Sequence, residues 1–167
     1  LFLFDAHRAN VAAAGAAPGA VIARSHRAIL RATRDGAVWI GQARLCRPKA
    51  IKLPAARVLA EQVVSLPQIE GPRDVFYEEE GDVGFLHFPF LNGAMGVDAC
   101  RRLLMAFRDA AARPVRVLVL MGGPDFWSNG LDLNEIEAAA SPADQSWHNI
   151  NVIDDIAEQI VRTTDKF

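Results

Sequence analysis

The sequence predicts an α/β protein in two units: a small β barrel, then a strand–helix–strand crossover. Three observations carry this reading. Charge divides along the chain, with 11 Lys and Arg against 5 Asp and Glu over residues 1–74, a balance of +6, and 7 against 15 over residues 75–167, a balance of −8. Such asymmetry between halves marks two units with different surroundings. Short β-type runs at close spacing crowd the first half. In the second half, one amphipathic helical pattern lies between two apolar strand-like runs.

Along the chain, Leu1-Phe2-Leu3-Phe4 reads as part of a strand, and Pro18-Gly19 marks a turn. The runs Val21-Ile22-Ala23 and Ala28 to Thr33 are β-type and are separated by Ser25-His26-Arg27. Asp35-Gly36 is a strong hairpin signal leading into a further strand, Ala37 to Leu45. A helix is expected over Ala55–Val64, after Pro54. The barrel unit therefore takes residues 1–65. Two prolines and a glycine interrupt any periodicity between Leu66 and Arg73, so residues 66–74 read as a linker. Residues 75–167 form the second unit.

In that unit Val83 to Phe88 alternates and breaks at Pro89. From Gly96 to Arg113, apolar residues at Cys100, Leu103, Leu104, Phe107, Ala110 and Ala111 follow helical spacing. Val115 to Met121 is a buried-strand run ended by Gly122-Gly123-Pro124. Ser128-Asn129-Gly130 is a turn, and Asp132 starts a short helix through about Ala139. A last helix, 142–163, opens on Ser141 as cap with Pro142 in the first turn. Its apolar face is expected at Trp147, Ile150, Ile153, Ala157, Ile160 and Val161.

Composition excludes several functions. At 51% hydrophobic and 23% charged residues, the chain is neither disordered nor collagen-like. The longest apolar run, Val117 to Met121, falls far short of the roughly 18 residues of a membrane span. No secretory signal opens the chain, so a cytoplasmic location and no membrane partner are expected. Cys46 and Cys100 stand apart without metal-ligand spacing, which excludes a zinc finger and a disulfide scaffold. No metal site is expected, and Glu78-Glu79-Glu80 reads as a surface run. The arginines of the basic half are scattered without interleaved aromatics, so no nucleic-acid partner is expected. His7 and His26 read as surface or structural, and His87 as packed within its strand. His148 and Asn149, with Asn151, Asp154 and Asp155, read as a solvated or gate-lining face. Leu1 opens the chain in mid-strand and Phe167 follows directly on a helix, so both ends read as cuts through a longer protein.

The segment Asp125 to Glu135 carries the chemistry. A turn running into a helix exposes free backbone N–H groups, which favour an anion or a developing oxyanion.

Two resemblances sharpen this. Pro18-Gly19-Ala20-Val21-Ile22 with Ala32-Thr33-x-Asp35-Gly36-Ala37-Val38 resembles the C-terminal OB-like domain of formyltransferases that use formyl-tetrahydrofolate, over about residues 18–45. In that family the catalytic Asn, His and Asp belong to the preceding domain, so none is carried over here. Val83 to Glu135 resembles the first part of the crotonase (enoyl-CoA hydratase/isomerase) fold. Pro89 and Asn92 resemble that family's Arg-Pro-x-x-x-Asn-Ala stretch with one residue fewer between them, and Phe88 or its neighbours stand in place of the arginine. In Phe126-x-Ser128-x-Gly130-Leu131-Asp132-Leu133, the last four residues match the Gly-x-Asp-Leu of that family's Phe-x-x-Gly-x-Asp-Leu, with Phe126 one residue further from the glycine.

The second resemblance implies that the Leu131 backbone N–H is one of two oxyanion-hole donors. Asn129, Gly130, Leu131, Asp132 and Leu133 would then line the site for coenzyme A. The other donor and the acid/base carboxylates would lie beyond Phe167. Leu131 replaces the small residue usual in hydratases, which argues against ordinary hydration chemistry.

The combination of the two modules resembles the fused maturation factors of nickel–iron hydrogenases, as do the segments 88–95 and 125–130. What this implies is an enzyme acting as part of a larger protein, the piece alone being inactive. A formyl group would pass from formyl-tetrahydrofolate, bound upstream of Leu1, to coenzyme A. Formyl-CoA would then be decarbonylated to carbon monoxide. The partners implied are an acyl-CoA-type small molecule and hydrogenase assembly proteins. Two alternatives stay open: a crotonase-family enzyme acting on longer acyl-CoAs, and a non-catalytic assembly module.

Overall fold

The computed structural model describes residues 1–13 and 15–167. They form two compact units, Leu1–Pro72 and Arg73–Phe167.

The first unit is built on an antiparallel sheet of β1 (Phe2–Arg8), β2 (Val21–Arg24), β3 (Ile29–Ala32), β4 (Ala37–Arg44) and β5 (Leu53–Pro54), in the order β1-β4-β3-β2 with β5 also on β4. The Asp35-Gly36 turn closes the β3–β4 hairpin. There the Thr33 N–H donates to Gly36 O at 2.8 Å, and Thr33 Oγ1 donates to Asp35 Oδ1 at 3.1 Å. Successive strand residues point to opposite faces, and both faces here are covered. Ile29, Ile40 and Ala43 pack with Ala55, Leu59 and Val63, while Leu30 and Trp39 pack with Ala23, Ala28 and Ala37. Double coverage explains the continuous apolar run at 28–30.

Two expectations need correction. The sheet is open among the described residues: β4 separates β1 from β3 and β2, and no strand pairs β1 to β2 to close a barrel. The helix expected over 55–64 is two short helices, α1 (Ala55–Val58) and α2 (Ala60–Val63), divided at Leu59 with φ −109 and ψ 24. Ala55, Leu59 and Val63, spaced as on one helix face, still share the buried side. Beyond them, the Arg24 N–H donates to Pro67 O and the Ile69 N–H to Arg24 O, which holds residues 67–69 along β2.

The second unit contains β6 (Phe76–Glu80), β7 (Val83–His87), α3 (Val97–Ala111), β8 (Val117–Met121), α4 (Leu133–Glu137) and α5 (Pro142–Arg162). β7 and β8 are parallel, from Val83 opposite Val117 to His87 opposite Met121, and α3 makes the crossover that parallel strands require. β6 pairs antiparallel with β7 around Gly81-Asp82. The acidic run is therefore half of a hairpin strand as well as a surface, with Glu79 accepting from Arg113 Nε at 2.7 Å. That guanidinium holds the Glu79 carboxyl below the usual carboxylate range. Phe167 runs beside β8, where the Leu118 N–H donates to Phe167 O at 2.7 Å and the Phe167 N–H to Arg116 O at 3.0 Å.

The core joins Leu86, Phe88 and Phe90 to Cys100, Leu103 and Phe107 of α3 and to Val152 and Ile156 of α5. The face that α5 buries is thus Asn149, Val152 and Ile156, with Ile153 and Ile160 beside it. Trp147, Ile150 and Val161 belong to a second apolar stripe that is exposed, and Ala157 is exposed with them. The sequence pattern merged the two stripes.

Candidate active site

Two segments meet at the ends of the parallel strands. From β7 the chain continues as Phe88-Pro89-Phe90, with the Phe88 N–H donating to Met121 O at 2.8 Å. It then turns through a short 3-10 segment, Leu91–Gly93, where Asn92 (φ +55) and Gly93 (φ +65) are both left-handed. From β8 the other segment passes Gly122 and Gly123 into Phe126-Trp127-Ser128. Trp127 donates its indole N–H to Leu120 O at 3.0 Å and sets its ring edge-on to Phe88, with centroids 5.3 Å apart.

The two segments are laced by backbone. The Asn129 N–H donates to Gly93 O at 2.8 Å, and the Met95 N–H to Gly130 O at 2.9 Å. Ser128 Oγ donates to Met95 Sδ at 2.9 Å and accepts the Gly130 N–H at 3.2 Å. The Asp132 N–H donates to Asn149 Oδ1 at 3.3 Å, while Asn149 Nδ2 donates to Met95 O at 2.6 Å. Asp132 then caps α4, accepting from the N–H groups of Asn134 (3.1 Å) and Glu135 (3.2 Å).

The N–H groups of 129, 130 and 132 are therefore all engaged. The Leu131 N–H has no partner among the described residues. Met95 and Leu131 form an isolated parallel bridge through the groups flanking Leu131, which leaves its own N–H unused by the pairing. Gly130, at φ +76, has nothing within 4 Å of the place a Cβ would take, so the backbone beside Leu131 borders open space. Leu133 next to it is 70% exposed, as are much of Phe126 and Trp127. An unpaired N–H in a fixed loop, beside open space and an apolar rim, suits an acyl carbonyl on which negative charge develops. The described residues do not supply a second free donor at this loop.

The remaining titratable groups behave structurally. The Cys100 thiol lies buried in the core, and burial pushes its pKa up to about 12. That excludes a nucleophilic thiolate at neutral pH. His148 Nε2 sits 2.6 Å from Arg101 Nη2, at a shallow groove of about 550 Å³ beside Trp147 and Asp144. His87 stacks on Phe76 at 4.4 Å, His7 bonds Asp5 Oδ1 at 2.7 Å, and His26 is exposed. Among the described residues no group of three His, Cys, Asp or Glu side chains is placed to hold a metal. No helix among them is long and apolar enough to cross a membrane.

Asn149 requires a correction. The sequence pattern groups it with His148 on a solvated face; it is fully buried and bonds both segments of the site. Met95 and Gly93 were equally invisible as site residues. The only signal for Asn149 was a polar side chain three and seven residues before Val152 and Ile156, on the stripe that packs.

No family model matches the chain. It is 53% identical over 166 residues to the hydrogenase maturation factor HoxX of Bradyrhizobium diazoefficiens, an alignment spanning 98% of this chain and 29% of that protein. The crystal structure of HypX from Aquifex aeolicus in complex with tetrahydrofolic acid superposes with a TM-score of 0.90 at 45% identity, covering 99% of this chain and 31% of HypX. A variant of the same HypX gives a TM-score of 0.91 at 44% identity, with the same coverage. From end to end the chain is thus similar to the hydrogenase maturation factor HoxX and to HypX, spanning about three-tenths of their length.

Proposed function

We propose that this chain belongs to an enzyme that makes carbon monoxide for the iron of a nickel–iron hydrogenase, and that its second unit provides one oxyanion donor for the decarbonylation of formyl-CoA. The observation that carries the proposal is the Leu131 N–H, unpartnered in a loop whose neighbouring amides are all engaged. The kinship with hydrogenase maturation factors, one of them crystallised with tetrahydrofolic acid, supports the setting. The first unit is read as the OB-like module that follows a formyl-tetrahydrofolate domain, and the second as the opening part of a crotonase fold. A cytoplasmic location and contact with hydrogenase assembly proteins go with this reading.

The chemistry asked of these residues is limited. Formyl-CoA, HC(O)–S–CoA, gives CO and HS–CoA: the carbon–sulfur and carbon–hydrogen bonds break, and the proton ends on sulfur. No outside oxidant or reductant is required. Leu131 would donate its N–H to the thioester oxygen and hold the carbonyl in a fixed direction. Phe126, Trp127 and Leu133 would keep water from its apolar side. Removing one such donor elsewhere costs about 100- to 1,000-fold in turnover, so a single well-aimed amide is a substantial contribution.

The test is product analysis of the full-length protein supplied with formyl-tetrahydrofolate and coenzyme A. Release of carbon monoxide, trapped by deoxyhaemoglobin, is the expected result. Turnover of enoyl-CoA without carbon monoxide would replace this reading with an ordinary crotonase activity. Neither product would indicate an assembly module.

A further inference from the structure

We infer that Asn149 is the positioning residue that aims the Leu131 N–H, an inference that rests on the oxyanion reading above. Asn149 is 0% exposed and is the one buried polar side chain in the described core. A buried amide is costly unless its donor and acceptor are both used, and here both are used on the two segments of the site. Nδ2 donates to Met95 O at 2.6 Å, and Oδ1 accepts the Asp132 N–H at 3.3 Å.

Those two contacts fix the peptide on either side of the donor. Asp132 follows Leu131 directly, so its N–H bond to Asn149 orients the 131–132 peptide plane. Met95 in turn donates its N–H to Gly130 O at 2.9 Å, which orients the 130–131 peptide plane that contains the Leu131 N–H. Asn149 thus grips one plane directly and the other through Met95. It is itself held on α5, a 21-residue helix, between the packed residues Val152 and Ile156 and the loop. The loop is thus referred to a rigid element through one side chain. An apolar residue of similar size would fill the volume and lose both grips.

Oxyanion stabilisation depends steeply on where the donor points, and an error of about 1 Å in a reacting geometry can cost about 100-fold. Asn149→Leu should therefore lower kcat for formyl-CoA about 10- to 100-fold, with KM changing much less. Asn149→Asp, held neutral by burial, keeps an acceptor for the Asp132 N–H and an O–H that can donate to Met95 O in altered geometry, and should show a smaller loss of the same kind.

The experiment uses the full-length protein and a stable formamide analogue of formyl-CoA, in which N–H replaces sulfur and the carbonyl is labelled with 13C. Infrared difference spectra report how strongly the carbonyl is polarised when bound. Wild type should shift the band to lower wavenumber. Asn149→Leu should lose most of that shift, and Asn149→Asp part of it, while both still bind the analogue. If both variants keep the wild-type shift and kcat, the positioning role is overturned. It is equally overturned if kcat falls while the shift stays unchanged. If Asn149→Leu fails to fold, Asn149→Asp decides between these outcomes alone. Should wild type bind the analogue without any shift, the oxyanion reading itself fails, a result separate from any behaviour of the variants.

Discussion

Gly93 and Asn129 are in contact across the two segments of the site. A Cβ built on Gly93 would stand 2.9 Å from the Asn129 backbone nitrogen and 2.7 Å from Phe126 Cβ. Only a residue without a side chain lets the Asn129 N–H reach Gly93 O at 2.8 Å. Gly93 also has φ +65, where a Cβ costs about 1–2 kcal/mol. Overpacking adds about 1–3 kcal/mol. Gly93→Ala should thus destabilise the chain by about 2–5 kcal/mol, read as a fall in thermal unfolding temperature. A loss under about 0.5 kcal/mol, typical of surface changes, would mean that the segments do not meet as described.

The Leu131 side chain extends from the residue whose N–H is proposed to hold the carbonyl, so on that proposal it would limit how much acyl group fits there. In the full-length protein, Leu131→Ala should admit acetyl- and propionyl-CoA as inhibitors of carbon monoxide release. Each methylene accommodated is worth about 10- to 200-fold in discrimination. Inhibition constants for the acyl series check this, and an unchanged series would exclude Leu131 as the gauge of acyl length.

Cys46 is exposed and Cys100 is buried. A thiol reagent at pH 8 should modify one cysteine in the native chain and both after denaturation. Burial favours the neutral Cys100 thiol and raises its pKa to about 12 from 9.0. The folded state therefore holds this proton more tightly than the unfolded state. Its contribution to stability is fully present below about pH 9 and falls as pH rises toward 12. Cys100→Ala should flatten that alkaline slope, measured by unfolding at pH 8 and pH 10.5. An identical slope would assign the alkaline loss to other groups.

The two stripes of α5 should differ sharply in stability. Ile156 is 6% exposed and packs in the core, whereas Val161 is 78% exposed. Ile156→Ala should cost about 2–5 kcal/mol, and Val161→Ala should fall within about 0.5 kcal/mol of wild type. Thermal or urea unfolding of both variants compares them directly. Equal losses would put Val161 in a packed position.

Much of this was legible in the sequence wherever one local rule acts alone. Asp35-Gly36 and the capping pair Ser141-Pro142 announce their turn and helix start without help from the rest of the chain. Helix 97–111 shows its apolar face because only one of its faces is buried. Legibility fails where partners distant in sequence decide the outcome. Phe76–Glu80 carries three consecutive carboxylates, a poor strand signal, yet Val83–His87 supplies its hydrogen bonds. Leu59 interrupts a helix although no glycine or proline marks the break. The site divides the same way. The Ser128-Asn129-Gly130 turn and the Asp132 cap are local. Asn149 bonds Met95, 54 residues away, and only its spacing to Val152 and Ile156 separates it from His148, its exposed neighbour.

The outer side of β8 bears on self-association. An unpaired strand edge is a template on which a second chain can add a strand. Here that edge is occupied piecemeal: Arg116 O and the Leu118 N–H are taken by Phe167, and Leu120 O by the Trp127 indole. A strand seeking to add in register would have to evict a backbone segment at one end and an aromatic side chain at the other. Trp127 thereby blocks one end of this edge, so its loss should be felt in colloidal behaviour as well as at the loop it braces.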